Sequence, residues 1–470
     1  MWNSRFWPGV VALQLSAAAL PAADFFVDTT ADAHDLVPNG ICDATGGGVC
    51  TLRAAIEEAE AQSADDAIWL PTGTFLLPLG PLPDLGASGD VGQLSITGKG
   101  HSATRLRGCG ATRQAEVGGL ECRLMTLDPQ AWLLLRSLSI ESFRTQIQGG
   151  AVENAGGSLT VERCAVTDNS ATFAGGSFST EPGYLIVRET AFAHGTAQAG
   201  GEIFVSGGTF SCDDCIFEGA STGSGGAGGA IYLNASAAWI EGSLFADNEA
   251  LHGGALFSES SVVKIVNSTF VGNRADLSGG AIYQLGAGLN VYSSTITGNY
   301  ADYDLDGSGE GGGVFTTGSG NAVFNSILSG NTGSLTLQPG GNTLAWPQDC
   351  AGDLISNGHN IVRAFFTGCP AGDIGCCSIS GATSAADPLL GALAYHGGST
   401  GTKPISPGSP AIDAGDPAGC TDGEGGLLTS DQRGAIRPAG GACDLGAFEY
   451  GSLIFDDDFE LWEWKWSAAP

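Results

Sequence analysis

Basic side chains are scarce in this sequence: 18 Lys and Arg stand against 50 Asp and Glu, for a formal charge of −32. A surface of that sign repels phosphate backbones and anionic lipid, which excludes nucleic acid as a partner and leaves no basic cleft to grip a polyanion. Long apolar runs are equally rare. The stretch Val10–Leu20 is too short to span a bilayer stably and no other run comes closer, so no transmembrane helix is expected in the mature chain. The six histidines, His34, His101, His194, His252, His359 and His396, are too scattered to suggest a metal cluster. Charged residues are only 14% of the chain and hydrophobic ones 43%, too apolar for disorder.

What is abundant is glycine, with 75 residues, accompanied by Ser, Thr and Asn. That density suits tight corners between short strands and argues against a helical protein. Thirteen cysteines are also present, and Cys42/Cys50, Cys109/Cys122, Cys350/Cys369 and Cys420/Cys443 lie in short loops without zinc spacing. Local disulfides in an oxidising compartment follow. The N-terminus agrees: Arg5, an apolar core and the small residues Ala22 and Ala23 form an export signal over residues 1–23.

A glycine pair begins at Gly149, Gly175, Gly200, Gly228, Gly253, Gly279 and Gly311, in steps of 26, 25, 28, 25, 26 and 32. Counting from the first glycine, offset 3 holds Val152, Phe178, Ile203, Ile231, Leu256, Ile282 and Val314. Offset 12 runs from Val161 to Val323, and offset 17 holds Val166, Phe192, Phe217, Phe245, Phe270, Ile296 and Leu328. Three apolar columns separated by turns predict an all-β, single-stranded right-handed parallel β-helix with three strands per coil, in which stacking buries what one coil cannot. Offset 20 carries Asn169, Asn248, Asn273, Asn299 and Asn331, a recurrence that marks a structural amide ladder rather than a catalytic residue.

Residues 51–62 form an amphipathic helix with Leu52, Ala55, Ile56 and Ala59 on one face and Glu57, Glu58 and Glu60 mostly elsewhere. We expect it to cap the N-terminal end of the solenoid, whose open edge needs cover. The organisation expected is a cap over 24–66, coils over 67–341 with regular repeats over 149–341, irregular disulfide-bonded terminal coils over 342–450, and a tail over 451–470.

Four pieces carry resemblances. GVCTLRAAIEEAEA (48–61) resembles the CSLREA-domain motif of exported bacterial proteins, with Thr51 in place of its Ser and Ala54 in place of its Glu. The GG-A-I-Y and S-T-F-x-x-N repeats are similar to right-handed β-helix proteins of the pectin-lyase-like superfamily, including polymorphic outer-membrane-protein repeats. SPAIDAGDP (409–417), DQRGAIRP (431–438) and CDLGAFEY (443–450) resemble the choice-of-anchor Q domain. The end, IFDDDFELWEWKWS (454–467), resembles a short bacterial sorting tail, with Asp458 where that tail has Gly. These resemblances imply a secreted or surface-exposed protein of a Gram-negative bacterium, and no particular reaction.

Candidate chemistry is sparse. Asp302, Asp304 and Asp306, followed by Gly307 and Glu310, alternate like the first half of a calcium loop, although Gly313 occupies the place of the closing bidentate Glu. Calcium is therefore the one cofactor considered. Cys212-x-x-Cys215 falls on inward columns and reads as packing or a buried local disulfide. The bases Arg163, Arg188, Lys264 and Arg274 fall at four different offsets, and Asp168, Asp213, Asp214 and Asp247 pair with none of them in the columns. The expectation is thus a non-enzymatic, adhesin-like or structural protein binding a glycan or a neighbouring cell surface. The alternative is a carbohydrate-active enzyme, lyase or hydrolase, on the same scaffold. A cleft of convergent acids and bases on the outer face would decide for catalysis.

Overall fold

The computed structural model describes residues 23–61, 64–86, 92–109, 122–223, 225–304, 309–336, 343–364, 377–380 and 383–452. The export-signal stretch up to Ala22, Asp306, Cys369, Cys376 and the tail from 453 lie outside them.

In the coil that opens at Gly149, Val152–Asn154 and Ser158–Glu162 join one sheet and Ala165–Thr167 joins a second. Each strand pairs in parallel with its counterpart one coil on, Val152 with Phe178, Val161 with Val187, and Val166 with Phe192. The pattern continues to Val314–Thr317, Ala322–Phe324 and Ile327–Ser329, so the body is a right-handed parallel β-helix. Among the described residues one sheet contains 21 strands and the other 11.

The glycine pair sets the corner. Its first member takes a positive φ, +63° at Gly149 and +58° at Gly175, where a side chain would be strained. Its second member packs so closely that a Cβ on Gly150 would lie 1.9 Å from the Gly176 carbonyl oxygen. Inside, the offset-17 column becomes a pile of parallel rings, with Phe217–Phe245 centroids 4.8 Å apart and Phe245–Phe270 4.4 Å apart. Each is fully buried, worth about 2–3 kcal/mol of transfer free energy.

The amide ladder is continuous from Asn248 onward. Each Nδ2 donates to the Oδ1 of the next coil's Asn at 2.9 Å, through Asn273 and Asn299 to Asn331. Asn331 ends on the buried Asp349, 2.8 Å away. Asn169 is separate, because Gly195 and Ala220 interrupt the column. Glu202 fills the space at Gly195: fully buried, it accepts the Gly195 N–H at 2.6 Å and the Ser177 hydroxyl at 2.6 Å.

The one helix among the described residues, Leu52–Glu60, is N-capped by Thr51, whose hydroxyl accepts the Ala54 N–H. Leu52, Ala55, Ile56 and Ala59 enter the core. Glu58 departs from expectation by being buried; its carboxylate accepts N–H groups of Asn39 and Gly40, stitching the preceding loop to the helix. Arg53 is also buried, paired with Asp32 at 2.7 Å. No described helix is long and apolar enough to cross a membrane.

The C-terminal region divides in two. Cys350–Ser356, Ile361–Val362 and Cys377–Ser380 continue the coils. Residues 385–450 instead turn back along the outside of the solenoid, with short antiparallel bridges such as Leu390↔Ile405 and Ser430↔Ile436. Their contacts reach far back in the sequence: Thr400 donates to the Gly242 carbonyl, and Gln432 accepts from Thr269. Irregular spacing, proline and cysteines predict degenerate, disulfide-locked coils over all of 342–450, and the part from 385 departs from that expectation. Its buried polar residues are satisfied mostly within the segment, as Asp431 is by Arg433, while Thr400, Gln432 and Arg437 bond to the solenoid flank.

Candidate functional site

Along the outer face of the larger sheet, alternate residues point to solvent. One outward row stacks Arg136, Glu162, Arg188, Asp213 and Glu241 on successive coils in register. The signs alternate, with Arg136–Glu162 joined at 2.8 Å, until Asp213 and Glu241, two acidic residues in register on neighbouring strands, of which Glu241 accepts the Trp239 indole N–H at 3.1 Å. Like charges directly opposite destabilise a sheet, so this break needs a reason.

Beside the break, in the adjacent outward row, stand Trp239 and Lys264, paired in register. The Lys264 ammonium lies 3.7 Å from the Trp239 ring centroid and 5.9 Å from that of Tyr292. It is also 3.3 Å from Glu424, which belongs to the segment that turns back along the flank. Glu424 sits in the hairpin Cys420–Leu428, whose arms meet at Thr421↔Leu427 and whose base is tied by the Cys420–Cys443 disulfide. Gly423 at its tip packs on Tyr292, where a Cβ would meet the ring at 2.3 Å. The hairpin is thus a wall, and the solenoid face a floor.

Burial tunes the titrating groups. Asp213 reaches solvent, yet desolvation raises its pKa, with Arg188 opposing and Glu189 adding to the rise. Asp214, in the turn at φ +54°, is raised well above the ordinary range by burial first and then by Asp213 and Glu189. Lys264 is lowered by desolvation, with Glu424 and Asp422 pulling it back up. Two carboxyls with raised pKa, an acidic residue on the next coil and a desolvated amine beside an aromatic face can exchange protons with a bound polyol.

The other singled-out residues fall elsewhere. Asp302 is buried in a turn at φ +55°, Asp304 is exposed and Glu310 is half-buried at the next corner. Among the described residues no three His, Cys, Asp or Glu gather in a metal-binding group. Cys42–Cys50 and Cys109–Cys122 are joined, as is Cys420–Cys443, and Cys350 is also disulfide-bonded. Cys212 and Cys215 are free thiols in the core, where burial first and the neighbouring Cys212 second raise the Cys215 pKa. Arg163 pairs with Glu189 at 2.9 Å, and Arg274 approaches Asp247 at 3.8 Å. Asp168 faces His194 at 3.7 Å.

The columns did not single out Trp239, Glu241, Tyr292, Asp422 or Glu424. The sign alternation that fails at Asp213 and Glu241 lies at offset 13, outside the apolar and Asn columns. Lys264 and Glu424 are far apart in sequence, and only the returning segment brings them together.

No family model matches the chain, and no curated protein matches it. Among solved structures it is similar to the pectate lyase Pel9A, at 13% identity over 92% of this chain and 97% of that one, with a TM-score of 0.45. It is also similar to the A-module of the mannuronan C-5 epimerase AlgE4 of Azotobacter vinelandii, at 12% identity over 69% and 91% and a TM-score of 0.31. A third is the pectin methylesterase PemA of Erwinia chrysanthemi, at 12% identity over 77% and 93% and a TM-score of 0.21. The expectation of a non-enzymatic protein is corrected: these neighbours are all named as enzymes. On this chain itself, acids and a base converge at the outer face, an arrangement that requires the returning segment.

Proposed function

We propose that this chain is a carbohydrate-active enzyme that cleaves glycosidic bonds in a polysaccharide lying against the floor and wall around Trp239. The observation that carries this reading is the stacked pair Asp213 and Glu241, an electrostatic fault beside an aromatic ring and a lysine. Proteins keep such faults where chemistry uses them. Trp239, half-buried with Lys264 over its ring, borders the strip where a sugar would lie, the raised carboxyls offer a proton, and Glu241, which accepts the Trp239 indole N–H, offers an acceptor one strand spacing away. The helix Leu52–Glu60 is read here as the cap of the solenoid's N-terminal end, and residues 1–23 as the export signal that takes the enzyme to extracellular polymers.

The test is product release from a panel of polysaccharides by the purified chain. Activity should fall by about 10²–10⁴-fold in Asp213→Asn and in Glu241→Gln, with the circular dichroism spectrum unchanged. Cleavage that survives both substitutions would refute the placement.

A further inference from the structure

We infer that the polysaccharide is an uncharged one, and that Trp132 and Tyr184 hold it against the outer face of the larger sheet, on the N-terminal side of Trp239. This rests on the polysaccharide reading above and names its substrate class. Two observations carry it.

The first is a pair of open rings. Trp132 begins the strand Trp132–Arg136 and Tyr184 the strand Tyr184–Arg188, and each pairs in register with Ser158 between them. They stand in one outward row, two coils or about 10 Å apart at the spacing of sheet strands, the reach of two sugar units in an extended chain. Trp132 is 50% exposed and Tyr184 48%. Among the described residues neither side chain meets another ring or makes a hydrogen bond, whereas the Trp69 indole donates to Asp24 and the Trp239 indole to Glu241. Leu134 and Ile186, both partly exposed, flank the rings in the adjacent outward row. A soluble surface keeps an apolar patch of this kind where something binds it.

The second is the absence of charge around them. The row of the rings runs from Gln93 to Ala237, and the adjacent row from Ser95 to Trp239, coil by coil in register. No outward residue in either stretch is charged, on a chain whose formal charge is −32. The charges of this face lie in the third outward row, where Arg136 and Glu162 already pair. A uronate polymer would meet no cation along the two rows, and an amine-bearing polymer no carboxylate. Thr160, Thr209 and Ser211 instead set hydroxyls beside the rings, partly open to solvent. Aromatic faces with hydroxyls among them match an uncharged sugar, which has an apolar face and a polar rim. The adjacent row ends at Trp239, so a chain lying along the solenoid axis passes from the rings to the candidate acids.

The experiment is titration calorimetry of the purified full chain with hexasaccharides of three kinds. The uncharged ones are built from β-linked glucose, mannose, xylose or N-acetylglucosamine, the acidic one from galacturonate, and the cationic one from glucosamine. At least one uncharged hexamer should bind about tenfold more tightly than either charged one, with an affinity that shifts less than about twofold between about 50 and about 500 mM NaCl. Trp132→Ala and Tyr184→Ala should each weaken it about three- to tenfold with the circular dichroism spectrum unchanged, and Tyr184→Phe, which keeps the ring, should bind as wild type does. Equal or tighter binding of a charged hexamer overturns the inference and leaves the polysaccharide reading standing. An uncharged hexamer held equally well by both alanine variants overturns it in the same way. So does a dimer of the chain that dissociates in Trp132→Ala/Tyr184→Ala, which would make this face a contact between copies. If no hexasaccharide of any charge is bound, the polysaccharide reading falls and this inference falls with it.

Discussion

Glu202 illustrates how one residue can carry a pH signature for a whole solenoid. It is fully buried where the amide ladder is interrupted, and desolvation pushes its pKa up to about 8 against the pull of Ser177 and Gly195. The folded state therefore holds the proton more tightly than the unfolded one. The corresponding stability is complete below the ordinary carboxyl pKa of 4.5 and is lost as pH rises towards about 8. Each pH unit in that window is worth at most about 1.4 kcal/mol. Asp349, raised by burial to about 6 at the end of the ladder, adds in the same direction over a lower window. In Glu202→Gln the amide can accept from Gly195 and donate to Ser177, so the fold should persist with a flatter profile. Melting temperatures of both proteins from pH 5 to about pH 9 check this: wild type should lose more than the variant, and parallel curves would reject the assignment.

At the scale of elements, the ladder binds coils to one another through buried amides that bond both to each other and to backbone carbonyls. Asn273 donates to the Phe245 carbonyl at 3.0 Å and to Asn299 at 2.9 Å, and it accepts the Asn248 N–H and amide. Asn273→Ala strands several of these groups at once, and about 2–4 kcal/mol should be lost in urea unfolding. A loss below about 0.5 kcal/mol would mean the ladder is decorative. The elements built by repetition were the legible ones. Columns at fixed offsets place Phe217, Phe245 and Phe270 in one pile and the Asn residues in another, because a period of stacking imposes a period on sequence. The substitution of Glu202 for a ladder residue was not legible, since it sits seven positions from the Gly195 it compensates and replaces a small residue in another column. Nor was the wall: residues 385–450 have no period, and their fold is dictated by the flank they cover.

For the whole molecule, the returning segment decides whether there is a site at all. Its motifs DQRGAIRP and CDLGAFEY form a buried clasp in which Arg437 reaches Glu449 at 3.0 Å and Asn267 of the solenoid at 3.1 Å, while Arg433 pairs with Asp431 at 2.6 Å. Arg437→Met would leave Glu449 buried without its cation, a defect of about 3–5 kcal/mol localised to the clasp. Limited proteolysis should then cut within 421–427 while the coils keep their β signature, and cleavage activity should vanish as Glu424 leaves Lys264. Retained activity in the clipped protein would show that the wall is dispensable. The most direct measurement is a crystal structure of the Asp213→Asn variant soaked with the longest oligosaccharide that the wild type cuts. Sugar density should lie across Trp239, between position 213 and Glu424, with a glycosidic oxygen near Glu241. Density confined to another face of the solenoid, or none at saturating ligand, would contradict the site.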